Sequence, residues 1–132
     1  MRRGGRKKYK LNSVKCSDLW SLYHININNL DSRETSLKAI LSSNSFSVVT
    51  VNETHLQGKR QASLPGYFTY TRNRVDKNAG GIATTISNSD AAYCVKVNEG
   101  MERNEFLVTR HSQFEVPVNV INMYGQQECR MT

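Results

Sequence analysis

Long apolar runs are missing from this 132-residue chain. No segment approaches the roughly 18 consecutive apolar residues of a membrane-spanning helix. The start, Met-Arg-Arg-Gly-Gly-Arg-Lys-Lys-Tyr-Lys, has no apolar stretch behind its charges, so it does not read as a secretory signal. Without such a signal the glycosylation-type triplet Asn52-Glu53-Thr54 reads as accidental. Cysteine is scarce: Cys16, Cys94 and Cys129 are far apart, odd in number and form no Cys-x-x-Cys pair. This argues against a zinc site and a disulfide framework, and it suits a reducing, intracellular compartment. Each cysteine reads as a small core or surface residue. Repeats and low-complexity core segments are also lacking.

Negative charge is missing from the first ten residues, which hold Arg2, Arg3, Arg6, Lys7, Lys8 and Lys10. The remainder carries 12 basic against 11 acidic residues, so the net charge of +7 belongs to a tail and not to a folded face. Such a tail attracts phosphate backbones and resembles a nuclear-localisation patch, or it is simply a disordered, solvated arm. The expected organisation is a basic disordered arm over residues 1–18 and one folded domain over 19–132. The expected location is intracellular, not secreted, and compatible with the nucleus.

What is present is a series of short strands. Residues 20–27 alternate, with Tyr23, Ile25 and Ile27 on one face and Leu22, His24 and Asn26 on the other, the signature of a strand. If that strand persists, Asn28 shares the face of Asn26. Asp31 is a candidate N-cap, with Glu34 closing a capping box. Leu37, Ile40 and Leu41 then form an apolar stripe, so a helix is expected over 32–42. A buried strand follows at 46–51, which makes a βαβ-like opening. Residues 57–71 read as loop, with a turn at Pro65-Gly66. Strands are expected at 82–86, 93–97, 106–110 and 116–123, and 111–115 reads as a hairpin connection.

The most informative stretch is 46–56, Phe-Ser-Val-Val-Thr-Val-Asn-Glu-Thr-His-Leu. A short β-branched run ends on one carboxylate, Glu53. Strand ends of open α/β sheets are where sites sit, and hard cations such as Mg²⁺ prefer carboxylate oxygens. Glu53 is therefore either a metal ligand or the first solvated residue of a loop. His24, His55 and His111 read as structural, since no carboxylate stands at a defined spacing from any of them.

Four fragments taken together resemble the endonuclease/exonuclease/phosphatase superfamily, and within it the apurinic-like endonuclease domain of LINE-type retrotransposons. They are His24-Ile-Asn26-Ile-Asn28-Asn29-Leu30; Asn52-Glu53-Thr54-His55-Leu56; Gly66-Tyr67 with Arg72 to Arg74 and Gly80-Gly81-Ile82-Ala83; and Asn122-Met-Tyr124-Gly-Gln-Gln127-Glu128-Cys-Arg130. Order and spacing agree over about residues 20–130.

The resemblance implies an α/β fold, a DNase I-like four-layer α-β-β-α sandwich. Here it would be partial: a first half with mixed and antiparallel strands and one clear helix. It implies metal-assisted phosphodiester hydrolysis of DNA with Mg²⁺ or Mn²⁺ as cofactor. Carried over by position, Asn26 and Tyr124 are catalytic, Glu53 and Asn28 hold the metal, and Gln127 and Arg130 contact the DNA backbone. The implied partners are DNA and the rest of a retrotransposon polyprotein, with no membrane. A branch acting on phospholipid or inositol phosphates fits the wording of the motifs less well.

The sequence also departs from this pattern. The family's later Gly-Asp-Phe-Asn and Ser-Asp-His motifs do not occur, Asn29 stands where the family has Gly, and Gln126 where it has Pro. A general base must lie within hydrogen-bond reach of the attacking water, and these motifs would supply it. The expectation is a truncated domain, inactive alone. The alternative is a non-catalytic, basic nucleic-acid-binding remnant.

Overall fold

The computed structural model describes residues 20–74, 80–98 and 104–125. The basic arm, Cys16, Cys129, Gln127 and Arg130 lie outside the described residues. The elements run β1 (Leu22–Asn26), α1 (Leu30–Ser43), β2 (Val48–Asn52), β3 (Tyr67–Arg72), β4 (Ile82–Ser87), β5 (Ala92–Val97), β6 (Asn104–His111) and β7 (Val118–Gly125). They form a four-stranded sheet, β1-β2-β4-β3, and a three-stranded sheet, β5-β6-β7. β1 and β2 are parallel, as a strand–helix–strand crossover requires. Every other pairing is antiparallel. The architecture is α/β, with mixed and antiparallel sheets and one helix among the described residues. No helix among them is long and apolar enough to cross a membrane.

Burial follows the pleat. All five residues of β2 are buried, so both of its faces are covered. Val49 and Val51 join Ala83, Leu30, Leu37 and Leu41 in the core beneath α1. The alternate residues Val48, Thr50 and Asn52 face the second sheet, which packs through β6 and β7 against β2, β3 and β4. In β6 the alternate residues Glu105, Leu107, Thr109 and His111 are buried.

The helix begins earlier than its sequence pattern predicts. Asn29 is the N-cap, not Asp31, and its side chain accepts from the Ser32 N–H. Asp31 sits in the first turn and takes a bidentate pair from Arg60 at 2.6 and 2.8 Å. Glu34 pairs with Lys38 at 3.0 Å. The reason is a tether to the neighbouring strand end: the N–H groups of Asn29 and Leu30 donate to the carbonyls of Glu53 and Thr54, each at 2.9 Å. Asn29 has φ +90°, a conformation glycine adopts freely.

The second difference is β3, which occupies the last third of the segment read as loop. Its six residues, Tyr-Phe-Thr-Tyr-Thr-Arg, suit a strand but carry aromatics on both faces. No alternation marks them, because β3 is an edge strand with intermediate exposure along most of its length.

Candidate active site

Three strands end close together at one end of the sandwich. β1 ends at Asn26, β2 at Asn52 and β7 at Gly125. Asn26 and Asn52 are register partners in the parallel pair. β7 is brought over them by two buried asparagines: Asn52 Nδ2 donates to the Met123 carbonyl at 3.1 Å, and Asn122 Nδ2 donates to the Ala83 carbonyl at 2.8 Å. An amide buried between sheets costs free energy unless bonded. Through their Nδ2 groups these two are bonded to backbone on the facing sheet, while their Oδ1 atoms have no partner among the described residues, so the donated bonds fix how the sheets sit. Both stand in the motif fragments, but their bracing role was not legible there, since a buried asparagine carries no local signal.

Glu53 is the first residue beyond β2. Asn26 Nδ2 and the Tyr124 hydroxyl both donate to its Oε2 at 2.9 Å. His55 Nε2 lies 3.7 Å from its Oε1. The Asn26 hydrogen bond, aided by Tyr124 and His55 and opposed by partial burial, holds the Glu53 carboxyl below the usual glutamate range. Burial, then the hydrogen bond to the Glu53 carboxylate, pushes the Tyr124 phenol up. The phenol thus remains a donor, and the carboxylate remains charged.

The backbone here is unusual. Asn28, Asn29, Glu53 and His55 are the non-glycine residues with positive φ among the described residues, at 49°, 90°, 57° and 60°. All four lie in the two adjoining loops after β1 and β2. Left-handed backbone is disfavoured for such residues, and it persists where surrounding structure enforces it, commonly at functional sites.

The six residues proposed from the sequence thus divide. Asn26, Glu53 and Tyr124 come together. Asn28 does not continue the strand, because its φ of 49° breaks the alternation. Its carbonyl accepts from Arg33 Nε at 3.3 Å, and it lines a shallow depression of about 320 Å³ with Asn26 and Arg33. Gln127 and Arg130 are beyond the described residues. Two histidines face carboxylates that no sequence spacing marked: His55 faces Glu53, and His111 faces Asp90.

The His111 pair lies at the opposite end. His111 Nδ1 is 3.1 Å from Asp90 Oδ2, and its Nε2 is 3.0 Å from Thr109 Oγ1. This acid–imidazole–hydroxyl order is that of a nucleophile relay. Yet Thr109 and His111 have no exposed surface, so no substrate reaches them and the chain of bonds is a brace.

No cluster of three or more His, Cys, Asp or Glu able to hold a metal exists among the described residues. A closed zinc site needs about four protein ligands. Mg²⁺ differs: it keeps several waters and is bound by one or two carboxylates. Glu53, with Asn26, Tyr124 and His55 beside it and one-quarter exposed along its side chain, fits that chemistry.

Known structures share the fold. The AP endonuclease LMAP from Leishmania major matches with a TM-score of 0.70 at 16% identity, over 91% of this chain and 44% of its own. The catalytic domain of Xenopus laevis APE2 matches with a TM-score of 0.60 at 21% identity, over 78% of this chain and 44% of its own. No family model and no curated protein matches the sequence. The chain spans less than half the length of either structure, and over that span it has the DNase I-like fold of AP endonucleases.

Proposed function

We propose that the Glu53 site is the metal- and phosphate-binding part of a centre that hydrolyses DNA phosphodiesters. The observation that carries this is the convergence of Asn26 and Tyr124, from separate sheets, on one oxygen of an ionised Glu53. The AP endonuclease fold supports it, as does the four-fragment resemblance to LINE-type retrotransposon endonucleases. On this reading Glu53 is the carboxylate ligand of Mg²⁺ or Mn²⁺. A bound divalent ion would neutralise charge on a phosphate oxygen.

The chain's own residues do the rest. Asn26 and Tyr124 are neutral donors, so they orient Glu53 without cancelling its charge, and they can donate to a phosphate oxygen. Asn28 borders the same loop and serves as a further oxygen donor. Gln127 and Arg130 would grip the DNA backbone, Arg130 bidentately. The 132 residues contain neither Gly-Asp-x-Asn nor Ser-Asp-His. On this reading a competent centre would also need the chemistry those motifs supply, as in a retrotransposon polyprotein, and the 132 residues alone are inactive. Residues 1–18 act as a basic arm beside the domain of residues 19–132.

Titration of the chain with Mn²⁺ tests the metal assignment. Resonances of Asn26, His55 and Tyr124 should broaden first, and Glu53→Gln should abolish that selectivity. Broadening confined to other acidic residues, or unchanged in Glu53→Gln, overturns it. In a longer version carrying the missing motifs, Mg²⁺-dependent nicking of plasmid DNA should disappear with Glu53→Ala.

The concentration of six positive charges in residues 1–10 favours a second reading, non-catalytic nucleic-acid binding. It requires affinity that falls steeply with salt, shows no sequence preference and is unaffected by Glu53→Ala. Undiminished affinity after deletion of residues 1–10 would exclude it.

A further inference from the structure

Behind the loop that carries Glu53 lies a second carboxylate, Glu105, with no exposed surface. Its Oε1 accepts from the Gly81 N–H at 2.8 Å. Its Oε2 is 3.3 Å from Nη1 of both Arg72 and Arg74. A buried charge is tolerated when it is paired and hydrogen-bonded, and here the pairing has a further consequence. Gly81, held by Glu105, and its neighbour Gly80 face the Glu53 loop: the Gly81 carbonyl accepts from Thr54 N–H at 3.1 Å, and the Gly80 carbonyl accepts from His55 N–H at 2.9 Å.

The fit leaves no slack. A Cβ on Gly80 would lie 2.6 Å from Glu105 Oε2, and one on Gly81 would lie 2.5 Å from Thr54 Oγ1. Both glycines have positive φ, at 71° and 88°. Glu105 is also the cross-strand register partner of Tyr124, so the residue that holds the glycine turn is the direct neighbour of the phenol bonded to Glu53.

We propose that Glu105 is a positioning residue for Glu53: it clamps the Gly80–Gly81 turn, whose two carbonyls hold Thr54 and His55 and so hold the left-handed backbone that presents the Glu53 carboxylate. It touches no substrate. Its importance for chemistry rests on the proposed role of Glu53, but the clamp itself is a statement about the loop and can be measured without a metal or a substrate.

The test is amide hydrogen exchange on the full 132-residue chain, comparing wild type, Glu105→Gln and Gly80→Ala with His111→Gln as a control at the far end of the sandwich. Glu105→Gln keeps an acceptor for Gly81 but loses the charge that Arg72 and Arg74 hold in place. Gly80→Ala pushes against the same carboxylate from the other side. Exchange at Thr54 and His55 should rise at least tenfold more than exchange at core amides such as Val49 and Val51 in both clamp variants. In His111→Gln it should follow the core. If Thr54 and His55 exchange only in step with the core in both clamp variants, Glu105 is a stabilising residue and nothing more, and the proposal is wrong.

Mn²⁺ binding to the same proteins adds a second measurement, with several-fold weaker binding expected in Glu105→Gln. If wild type binds no Mn²⁺, the metal assignment of Glu53 fails, whereas the exchange result still decides the clamp.

Discussion

The two ends of the β-sandwich are built from the same parts and come out opposite. Each has a carboxylate that accepts from an aromatic side chain and faces a histidine. At one end Tyr124 donates to Glu53 beside His55; at the other Trp20 Nε1 donates to Asp90 at 3.2 Å beside His111. Gln113 closes on Asp90 as well, and Trp20 packs edge-on against His111 and Phe114. The Asp90 and His111 side chains are 7% and 0% exposed, whereas those of Glu53 and His55 are 25% and 19% exposed. Glu53 and His55 also sit on left-handed backbone. Hydrogen bonds to a carboxylate therefore do not distinguish the two ends. Access for solvent does, together with backbone held in a conformation that stability alone would not select.

That contrast can be broken by substitution, and the closed end should respond most. Asp90→Ala removes the acceptor of Trp20 and the partner of His111 inside the protein. Each buried group left unpaired costs about 1–3 kcal/mol, so urea unfolding should show a loss of roughly 3 kcal/mol. A loss near zero would mean that the brace is solvated and the two ends are alike. The open end should respond with the opposite sign. His55→Gly replaces a residue at φ +60°, and relief of the left-handed penalty should raise stability by about 1 kcal/mol. A decrease would show that the ring supports the fold rather than the site.

Ionisation sharpens the same comparison. Tyr124 is pushed above the ordinary phenol range by burial and by the Glu53 carboxylate. Its contribution to stability is thus fully present below the unfolded phenol value of about 10 and is lost as pH rises through the folded one. In an absorbance titration at alkaline pH, Tyr124→Phe should remove a late-titrating part of the tyrosine signal and leave the early part unchanged.

The smallest effect belongs to Glu53. Its carboxyl is held below the usual range, chiefly by Asn26. It therefore adds stability above an unfolded value of about 4.3, and that increment disappears as pH falls through the folded value. Unfolding measured between pH 5 and 3 should have a shallower slope in Glu53→Gln than in wild type. An identical slope would mean that the hydrogen bonds from Asn26 and Tyr124 do not favour the charged form.

Legibility differed by element for physical reasons. β1, β2 and β4 to β7 announce themselves through alternation or short apolar runs, because side chains on a strand alternate between environments. β3 does not, since an edge strand with aromatics on both faces shows no such contrast. The Asp31–Glu34 spacing looks like a cap, but the helix starts at Leu30 because the Glu53 and Thr54 carbonyls capture two N–H groups there. Glu53 stood out as an acid after a buried strand. Glu105 did not, because nothing in its local sequence marks it and its burial depends on arginines 31 and 33 residues earlier in the chain.

The order of residues alone determined where six of the seven strands and the body of the single described helix form and which residues carry oxygen donors, since these follow from side-chain chemistry and short-range periodicity. Only the tertiary structure decided that Asn26, Glu53 and Tyr124 meet, that His111 is sealed while His55 is open, and that Glu105 stands behind the loop. Those facts turn on how two sheets pack across a buried layer of asparagines and threonines, and contacts between residues tens of positions apart leave no periodic trace along the chain.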